Sequence, residues 1–238
     1  MSQSPFSTPK AAPLLTIDNL TVQRGETALC AGVELQLAAG GICHLIGANG
    51  TGKTTLLMQL AGLLPVLRGT IRYQGRAGLP IQPLYISHQL GIHPNLTVSQ
   101  NLTFLLNLYG ITPSATDIDA ALAWVGLQGF ETISSSHLSA GQTRRITLAR
   151  LYLMSVEVTP LWLLDEPFTA LDIDMVARME QRLQSFAAAG GSILMTSHQA
   201  VGVANQVLDL SEYLDLLHCD LLDDNFLKDD LLESDFLD

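Results

Sequence analysis

The sequence predicts an α/β fold built around a mainly parallel sheet. Three short apolar runs, Ile42–Ile46, Leu161–Leu164 and 193–195, each end in glycines or polar residues, as strands buried on both faces do. Stretches with helical character, such as 174–189, separate these runs. Parallel neighbours need a crossover connection, which a helix usually supplies, so the alternation of strand and helix indicates a parallel sheet.

Two further regions flank this pattern. Residues 14–37 are predicted to form strands around a turn at Gly25, because their apolar residues alternate, and residues 53–64 have helical character. Between Gln89 and Leu138 the pattern changes to helix-like segments without a convincing strand. We interpret residues 90–140 as a helical insertion into a sheet domain that spans 14–210.

The net charge of −11 belongs mainly to the C-terminal segment 211–238, which holds ten acids and one base. The remaining residues carry 13 acids and 11 bases, so they are close to neutral. With 47% hydrophobic and 15% charged residues, the chain has the composition of a globular protein rather than a disordered one. This balance of charge argues against nucleic acid or an anionic lipid surface as a partner of the whole protein.

The ends of the chain and its cysteines add three expectations. Residues 1–13 are rich in Ser, Pro and Thr and lack the apolar stretch of a secretory signal, so we interpret them as a disordered leader. The most apolar region is interrupted by Arg150 and Glu157, so no segment is predicted to cross a membrane. Cys30, Cys43 and Cys219 form no close pair, which fits a reducing compartment without a disulfide framework.

The strongest chemical signal is a full match to the phosphate-loop motif G-x-x-x-x-G-K-[ST], placed between a predicted strand and a predicted helix. Glycines at this spacing let backbone N–H groups point at phosphate oxygens, and the positive end of the following helix faces the same anion. Lys53 adds positive charge at the β- and γ-phosphates, and the Thr54 hydroxyl can bind Mg²⁺. The predicted nucleotide-binding residues here are Gly47, Ala48, Asn49, Gly50, Thr51, Gly52, Lys53, Thr54 and Thr55.

A pair of acids supports this prediction. Asp165 and Glu166 directly follow the apolar run Leu161–Leu164, at the strand end where parallel sheets place their ligand sites. We expect Asp165 to hold Mg²⁺ opposite Thr54, directly or through water. Glu166 is then placed to polarise an attacking water.

Between these two motifs lies Leu138-Ser139-Ala140-Gly141-Gln142. Ser139 is predicted to cap a helix that runs to about Met154. The sequence LSAGQ, between a phosphate loop and an LLDEP strand, resembles the signature motif of ATP-binding cassette (ABC) ATPases. The fold that this resemblance implies is an ABC ATPase core with an antiparallel β subdomain and a helical insertion.

The resemblance also implies roles for residues in the other motifs. Gln89 stands where the Q-loop glutamine senses Mg²⁺ and the attacking water, and it begins the insertion. Residues 169–172 resemble the D-loop, which communicates across a dimer. His198 resembles the switch histidine that contacts the γ-phosphate. In this family Ser139 and Gly141, with Gln142, close on the ATP held by Lys53 of a second copy, so a functional dimer is implied.

One position departs from the family pattern. Many relatives stack the adenine on an aromatic residue upstream of the phosphate loop, and the corresponding position here lies near Arg24. A guanidinium can stack on a purine, and an ordinary surface arginine is an equally good interpretation. The base selectivity is therefore left open.

Several segments together resemble the haem-exporter ATPases of bacterial cytochrome c maturation, a subfamily of the ABC ATPases. They are 85–92, 96–102, 161–172 and 196–199. Ser87 departs from the glycine expected there. This resemblance implies a peripheral subunit on the cytoplasmic face of the inner membrane. There it would couple ATP hydrolysis to an integral membrane transporter subunit and power a haem-handling step.

The site of that coupling is expected in a groove between Gln89 and the insertion. No haem ligand follows from the sequence, since His88, His93 and His137 are better explained by surface or capping roles. Two other functions stay open. One is the ATPase of a lipid or drug exporter. The other is a non-transport cassette protein acting on DNA or ribosomes, which the lack of a second cassette or a long coiled-coil insertion disfavours.

The acidic segment contains a repeat. Residues 214–238 fit the pattern x-[DN]-[LF]-L-x five times. A period of five gives no fixed face to a helix of 3.6 residues per turn or to a strand of period two. A disordered acidic-hydrophobic tail, a segment that folds on a partner, and a short coil packed on the main domain all remain open.

Overall fold

A computed structural model of the protein describes residues 13–25, 27–73, 81–88, 91–199 and 201–214. It confirms the predicted α/β class, with one parallel and one antiparallel sheet. The strands are β1 (Leu15–Arg24), β2 (Thr27–Leu37), β3 (Ile42–Ile46), β4 (Thr70–Tyr73), β5 (Leu84–Ile86), β6 (Leu161–Leu164), β7 (Ser192–Thr196) and β8 (Gln206–Asp209). The helices are α1 (Lys53–Leu60), α2 (Val98–Asn107), α3 (Ala115–Trp124), α4 (Ala140–Leu153) and α5 (Ile173–Ala188).

The parallel sheet has five strands in the order β5-β6-β7-β3-β8. All four residues of β6 are buried, and they alternate between two separate hydrophobic clusters. Leu161 and Leu163 pack in the cluster shared with α1 and the antiparallel sheet, while Trp162 and Leu164 pack in the cluster shared with α4, α5 and the insertion. Burial on both faces is the reason that this strand is a continuous apolar run.

The antiparallel sheet has the order β2-β1-β4 and lies against the phosphate-loop side of the parallel sheet. The turn between β1 and β2 contains Gly25, which has a positive φ of 62°. The hairpin packs closely on the phosphate loop, since a Cβ placed on Gly52 would lie 2.9 Å from Val22 and 3.3 Å from Leu29. This contact fixes the β1–β2 hairpin beside the nucleotide-binding loop.

The insertion is helical where it was predicted to be. Helices α2 and α3 each begin with a capping box, closed by Thr97 with Gln100 and by Ser114 with Asp117. Their buried leucines pack on α4, which carries the signature sequence. The insertion is thus attached to the core through the signature helix.

Other boundaries differ from the prediction in ways that local structure explains. Helix α1 ends at Leu60 rather than at Leu64, because the chain turns at Gly62 with a φ of 71°. Strands β4, β5 and β8 were not predicted. Each is three or four residues long, and β4 and β8 are only partly buried, so neither supplies a distinct apolar run.

Three of the sequence predictions fall wholly or largely outside the described residues: the leader 1–13, Gln89 and the acidic segment from 215 to 238. A 3₁₀ helix, Leu210–Tyr213, follows β8, and Tyr213 and Leu214 pack against the hydrophobic cluster around α1. The packed chain therefore extends to Leu214. Within the described ranges, no helix is both long and apolar enough to span a bilayer.

Candidate nucleotide-binding and hydrolysis site

The predicted residues of the phosphate loop, the acid pair and His198 meet at one edge of the parallel sheet. The phosphate loop follows β3, the acid pair follows β6, and His198 follows β7, so three neighbouring strands deliver their side chains to the same edge. They line a cavity of about 400 Å³. The lining residues are Arg24, Leu29, Asn49, Gly50, Gly52, Lys53, Thr54, Thr55, His88, Asp165, Glu166 and His198.

The phosphate loop needs its glycines for geometric reasons. Gly47, Gly50 and Gly52 have φ values of 142°, 87° and 103°, a region that side chains disfavour. A Cβ on Gly47 would also lie 2.8 Å from the Thr51 hydroxyl, which donates to the Ala48 carbonyl at 3.0 Å. The loop is therefore closed by its own hydrogen bonds.

Lys53 is folded onto this loop. Its ammonium donates to the carbonyl oxygens of Gly47 at 2.7 Å and of Ala48 at 3.0 Å. It is the first residue of α1, so its positive charge adds to the positive end of the helix. The arrangement concentrates positive potential where a phosphate chain would lie.

Asp165 is almost fully buried, at 3% exposure, and both of its carboxylate oxygens are engaged. Thr54 donates to Oδ2 at 2.9 Å, and Thr196 donates to Oδ1 at 2.8 Å. His88 Nδ1 also lies 3.4 Å from Oδ2. The charge of Asp165 acts on its surroundings: burial raises the pKa of Tyr85 to about 12, and the nearby carboxylate adds to this shift.

Glu166 has an unusual backbone, with a φ of 53° that few residues other than glycine adopt. Its N–H donates to the Thr196 hydroxyl at 2.8 Å. Its carboxylate accepts a hydrogen bond from the His198 N–H at 3.3 Å, and the His198 ring lies 3.7 Å away. Glu166 and His198 thus line the same cavity.

A buried arginine from the signature helix reaches the same acids. Arg144 is 7% exposed, and its Nη2 donates to the carbonyl oxygen of Glu166 and lies 3.4 Å from that of Asp165. Burial lowers the pKa of the guanidinium, while the negative charges of Asp165 and Glu166 oppose this shift. The signature helix and the acid pair are therefore in direct contact within one chain.

The signature residues themselves do not line the cavity. Ser139 caps α4 by accepting from the Gln142 N–H at 3.3 Å, and Gln142 Oε1 accepts from the Ser139 N–H at 2.9 Å. Gly141 lies near the D-loop instead, since a Cβ there would be 3.8 Å from the Ala170 carbonyl. The capping box gives the Ser-x-x-Gln spacing a local role in helix initiation.

The D-loop is joined to the signature helix as well. Asp172 caps α5 by accepting from the Met175 N–H at 2.8 Å, and it pairs with Arg145 of α4. This cap and Arg145 together lower the pKa of the Asp172 carboxyl, although its slight burial acts in the opposite direction. Arg145 also donates to the Val125 carbonyl at the end of α3. One side chain therefore connects the insertion, the signature helix and the D-loop.

Sequence reasoning missed three residues of the site. Thr196 ends β7, and a hydroxyl residue at a strand end beside a predicted switch histidine was a usable signal. His88 was interpreted as a surface or capping residue, and it is 61% exposed in its side chain although it lines the cavity. Arg144 gave no signal, because a basic residue on a helix is usually solvated.

The residues present fit a magnesium nucleotide. A threonine hydroxyl and a carboxylate, Thr54 and Asp165, are hard oxygen donors that lie 2.9 Å apart in the lining of the cavity. Mg²⁺ typically uses one or two protein ligands together with phosphate oxygens and water. Within the described ranges there is no cluster of three or more His, Cys, Asp or Glu residues placed to hold a metal ion by themselves. The donor set suits a cation that arrives with phosphates.

A phosphate loop facing an acid pair at the ends of parallel strands defines a nucleotide-binding protein of the phosphate-loop class. The model of the family described as "ABC transporter" matches residues 30–169. The "Cytochrome c biogenesis ATP-binding export protein CcmA" of Methylococcus capsulatus is 41% identical over 206 residues, which cover 84% of this chain and 98% of the relative. This chain therefore belongs to the ABC transporter family, as an ATP-binding subunit of the CcmA type.

Solved structures agree on the fold. A putative ABC transporter ATP-binding protein from Pyrococcus furiosus superposes with a TM-score of 0.72 at 23% identity, over 84% of this chain and 98% of that one. A dimeric ATP-binding cassette in a post-hydrolysis state, bound to ADP and Pi, gives a TM-score of 0.68 at 22% identity, over 82% and 93% of the two chains. These likenesses confirm the ABC ATPase core that the motifs predicted.

Proposed function

We propose that this protein binds ATP and Mg²⁺ at its phosphate loop, hydrolyses the ATP in a dimer of two copies, and drives a membrane transporter that handles haem during cytochrome c assembly. The chemical part rests above all on one observation. Asp165 and Glu166 stand at the end of β6, across the 400 Å³ cavity from the phosphate loop, with Thr54 hydrogen bonded to Asp165.

The nucleotide is held by the residues from Gly47 to Thr55. Backbone N–H groups of the loop and the start of α1 face the phosphates, and Lys53 exchanges its two loop carbonyls for β- and γ-phosphate oxygens. Arg24 and Leu29, on the β1–β2 hairpin, form a further wall of the cavity. That wall is the side on which the base would lie.

Thr54, Asp165 and Gln89 are the proposed residues for Mg²⁺. When bound, the ion neutralises negative charge on the phosphate oxygens. Thr54 and Asp165 make their 2.9 Å hydrogen bond to each other in the structure, and both oxygens become available once the two side chains separate. Gln89 lies outside the described residues, so its role rests on the resemblance alone.

Glu166 and His198 are the proposed catalytic residues, together with Gln89. The Glu166 carboxylate orients and polarises the attacking water, and its neighbour His198 contacts the γ-phosphate. Thr196 supports this step by holding the Glu166 N–H and the Asp165 carboxylate with one hydroxyl. One side chain of β7 therefore fixes both acids relative to each other.

The second half of the site comes from another copy of the chain. Ser139, Gly141 and Gln142 lie outside the cavity formed by their own chain, which supports the trans arrangement that the family resemblance implies. The start of α4 then presents backbone N–H groups to the γ-phosphate held by the partner copy's loop. ATP closes the dimer and hydrolysis opens it, because the γ-phosphate is contacted from both sides only while it is present.

The membrane subunit is proposed to dock in the groove between the Q-loop and the insertion, and the protein to act at the cytoplasmic face of the inner membrane. Support comes from the relatives, which are named as ATP-binding export proteins of cytochrome c biogenesis. The exposed side chains of Phe104 on α2 and of Leu108 directly after it supply apolar surface for such a contact. The tail beyond Leu214 and the leader are proposed to lie outside the cassette.

Biochemical and genetic experiments test this function. Purified protein should hydrolyse ATP only with Mg²⁺, and Lys53→Ala should lose ATP binding by more than about tenfold, because it removes a charge-assisted phosphate contact. The full-length protein should also recover an integral membrane subunit from detergent-solubilised membranes. Loss of c-type cytochromes in a strain carrying Glu166→Gln would support the haem-handling role. Normal cytochromes together with a defect in lipid or drug export would instead assign the protein to a lipid or drug exporter.

A further inference from the structure

Arg144 contacts Glu166 from outside the nucleotide cavity. Arg144 lies on α4, is 7% exposed, and is not among the residues that line the cavity. Its guanidinium reaches the end of β6 and donates to the backbone carbonyl of Glu166, with the Asp165 carbonyl 3.4 Å away. An arginine that cannot touch substrate is thus bonded to the peptide of the proposed catalytic glutamate.

The backbone of Glu166 has an unfavourable conformation, which neighbouring side chains stabilise. Glu166 has a φ of 53°, in the left-handed region that a residue with a side chain adopts only at an energetic cost. Two side chains fix it from opposite ends of the residue. Thr196 accepts from its N–H at 2.8 Å, and Arg144 donates to its carbonyl oxygen. The direction of the Glu166 side chain is set by these two bonds, because the backbone angles determine where the Cα–Cβ bond points.

Hydrogen bonds compensate only in part for the burial of the Arg144 guanidinium. Arg144 Nε is buried without a hydrogen-bond partner in the described part of the chain. Arg150, on the same helix and 5% exposed, instead satisfies its Nε with the Thr147 carbonyl at 3.1 Å. A buried cation with an unpaired N–H is unfavourable for stability, so another contribution is expected to keep Arg144 beside the acids.

We propose that Arg144 is a positioning residue for ATP hydrolysis, which fixes the Glu166 peptide so that the carboxylate stays aimed at the attacking water. The inference rests on the proposed role of Glu166 in hydrolysis. Nucleotide binding does not depend on it, because the Arg144 guanidinium faces the backbone behind the acid pair and does not line the cavity. The residue acts through Glu166 alone.

The test compares Arg144→Met, Arg144→Lys and Arg150→Met in the full-length protein, with kcat and KM for ATP and the melting temperature as readouts. Both methionine variants remove a buried guanidinium from α4, so both should lower the melting temperature. Arg144→Met should lower kcat by at least about tenfold with KM within about threefold, since a small misplacement of a catalytic group costs up to about 10²-fold. Arg144→Lys keeps a cation that can donate to the carbonyl, and it should recover part of kcat.

A double variant separates this inference from the proposed function. In a Glu166→Gln background, Arg144→Met should cause no further loss of the residual rate, because a residue that acts through Glu166 is non-additive with it. The inference is overturned if Arg144→Met and Arg150→Met lower kcat equally, or if Arg144→Met raises KM while kcat is kept. If Glu166→Gln itself leaves turnover intact, the proposed function fails instead. If Arg144→Met does not fold, Arg144→Lys is measured in its place. A lower kcat with a nearly unchanged KM then supports the inference, and a raised KM with an unchanged kcat overturns it.

Discussion

The Thr54 hydroxyl donates a hydrogen bond of 2.9 Å to the Asp165 carboxylate, across 111 positions of sequence. This bond joins the first turn of α1 to the end of β6, so it holds the phosphate loop beside the acid pair. Thr196 adds a second support from β7. Residues that follow three neighbouring strands therefore hold one another in place at the site.

Thr196→Val should separate hydrolysis from binding. The substitution keeps the shape of the side chain and removes the hydroxyl that bonds both Glu166 and Asp165. We expect kcat to fall by up to about 100-fold, since catalytic groups lose their alignment, with a smaller change in KM. Thr159→Val is the matched control, because that buried hydroxyl bonds only Trp162 among the described contacts. An equal loss of kcat in both variants would refute the role of Thr196.

Phe186→Ala should destabilise the fold strongly. Its ring stacks on Trp162 at 3.7 Å between centroids, in the core between α5 and the parallel sheet. Removing a buried phenyl ring costs about 3–5 kcal/mol of the free energy of unfolding. Phe104→Ala removes a ring that is 51% exposed, and it should change that free energy by less than about 0.5 kcal/mol. Urea denaturation of the two variants checks the difference.

The two described cysteines should resist alkylation in the folded protein. Burial raises the pKa of Cys30 to about 11 and of Cys43 to about 12, so both stay as thiols, which are poor nucleophiles. Raising the pH from 7 to 9 should therefore accelerate labelling of the denatured chain far more than of the native one. The contribution of the two thiols to the free energy of unfolding is fully present below their unfolded pKa, and it is lost as the pH rises through their folded pKa values. Mass spectrometry of each peptide measures the labelling, and fast native labelling of Cys43 would contradict the burial.

Truncation after Leu214 should leave the cassette intact. Tyr213 and Leu214 pack on the core, and the acidic repeats begin at Leu214. The cut therefore removes most of the acidic charge but none of the packed residues that the structure describes. We expect ATP hydrolysis within about twofold and a nearly unchanged melting temperature. Truncation after Leu210 is the informative comparison, because it also removes the buried contacts of Tyr213. A large loss of stability on cutting at Leu214 would favour a packed coil.

The sequence predicted those parts of the site that depend on local patterns. The phosphate loop and the acids after β6 were found because each has a fixed spacing next to a buried strand. Strands β4 and β8 were missed, since partly buried short strands leave little pattern. Arg144 was missed because its partner is 22 residues away along the chain, and only the packing of α4 against β6 brings them together.

The signature motif shows how a local rule and a family resemblance can overlap. Ser139 and Gln142 fit the Ser-x-x-Gln capping box, and in the structure they close it with two hydrogen bonds. The same residues are proposed to face the nucleotide of a second copy. Both roles are compatible, because a well-capped helix start is also a rigid site for binding phosphate.

The most direct measurement of the central claim is the effect of Glu166→Gln on turnover and assembly. The full-length variant is incubated with ATP and Mg²⁺, its rate of phosphate release is measured, and its oligomeric state is determined by size-exclusion chromatography with light scattering. We predict a loss of turnover of at least about 100-fold together with a stable dimer that retains ATP. A variant that hydrolyses ATP at the normal rate and stays monomeric with ATP would contradict this account.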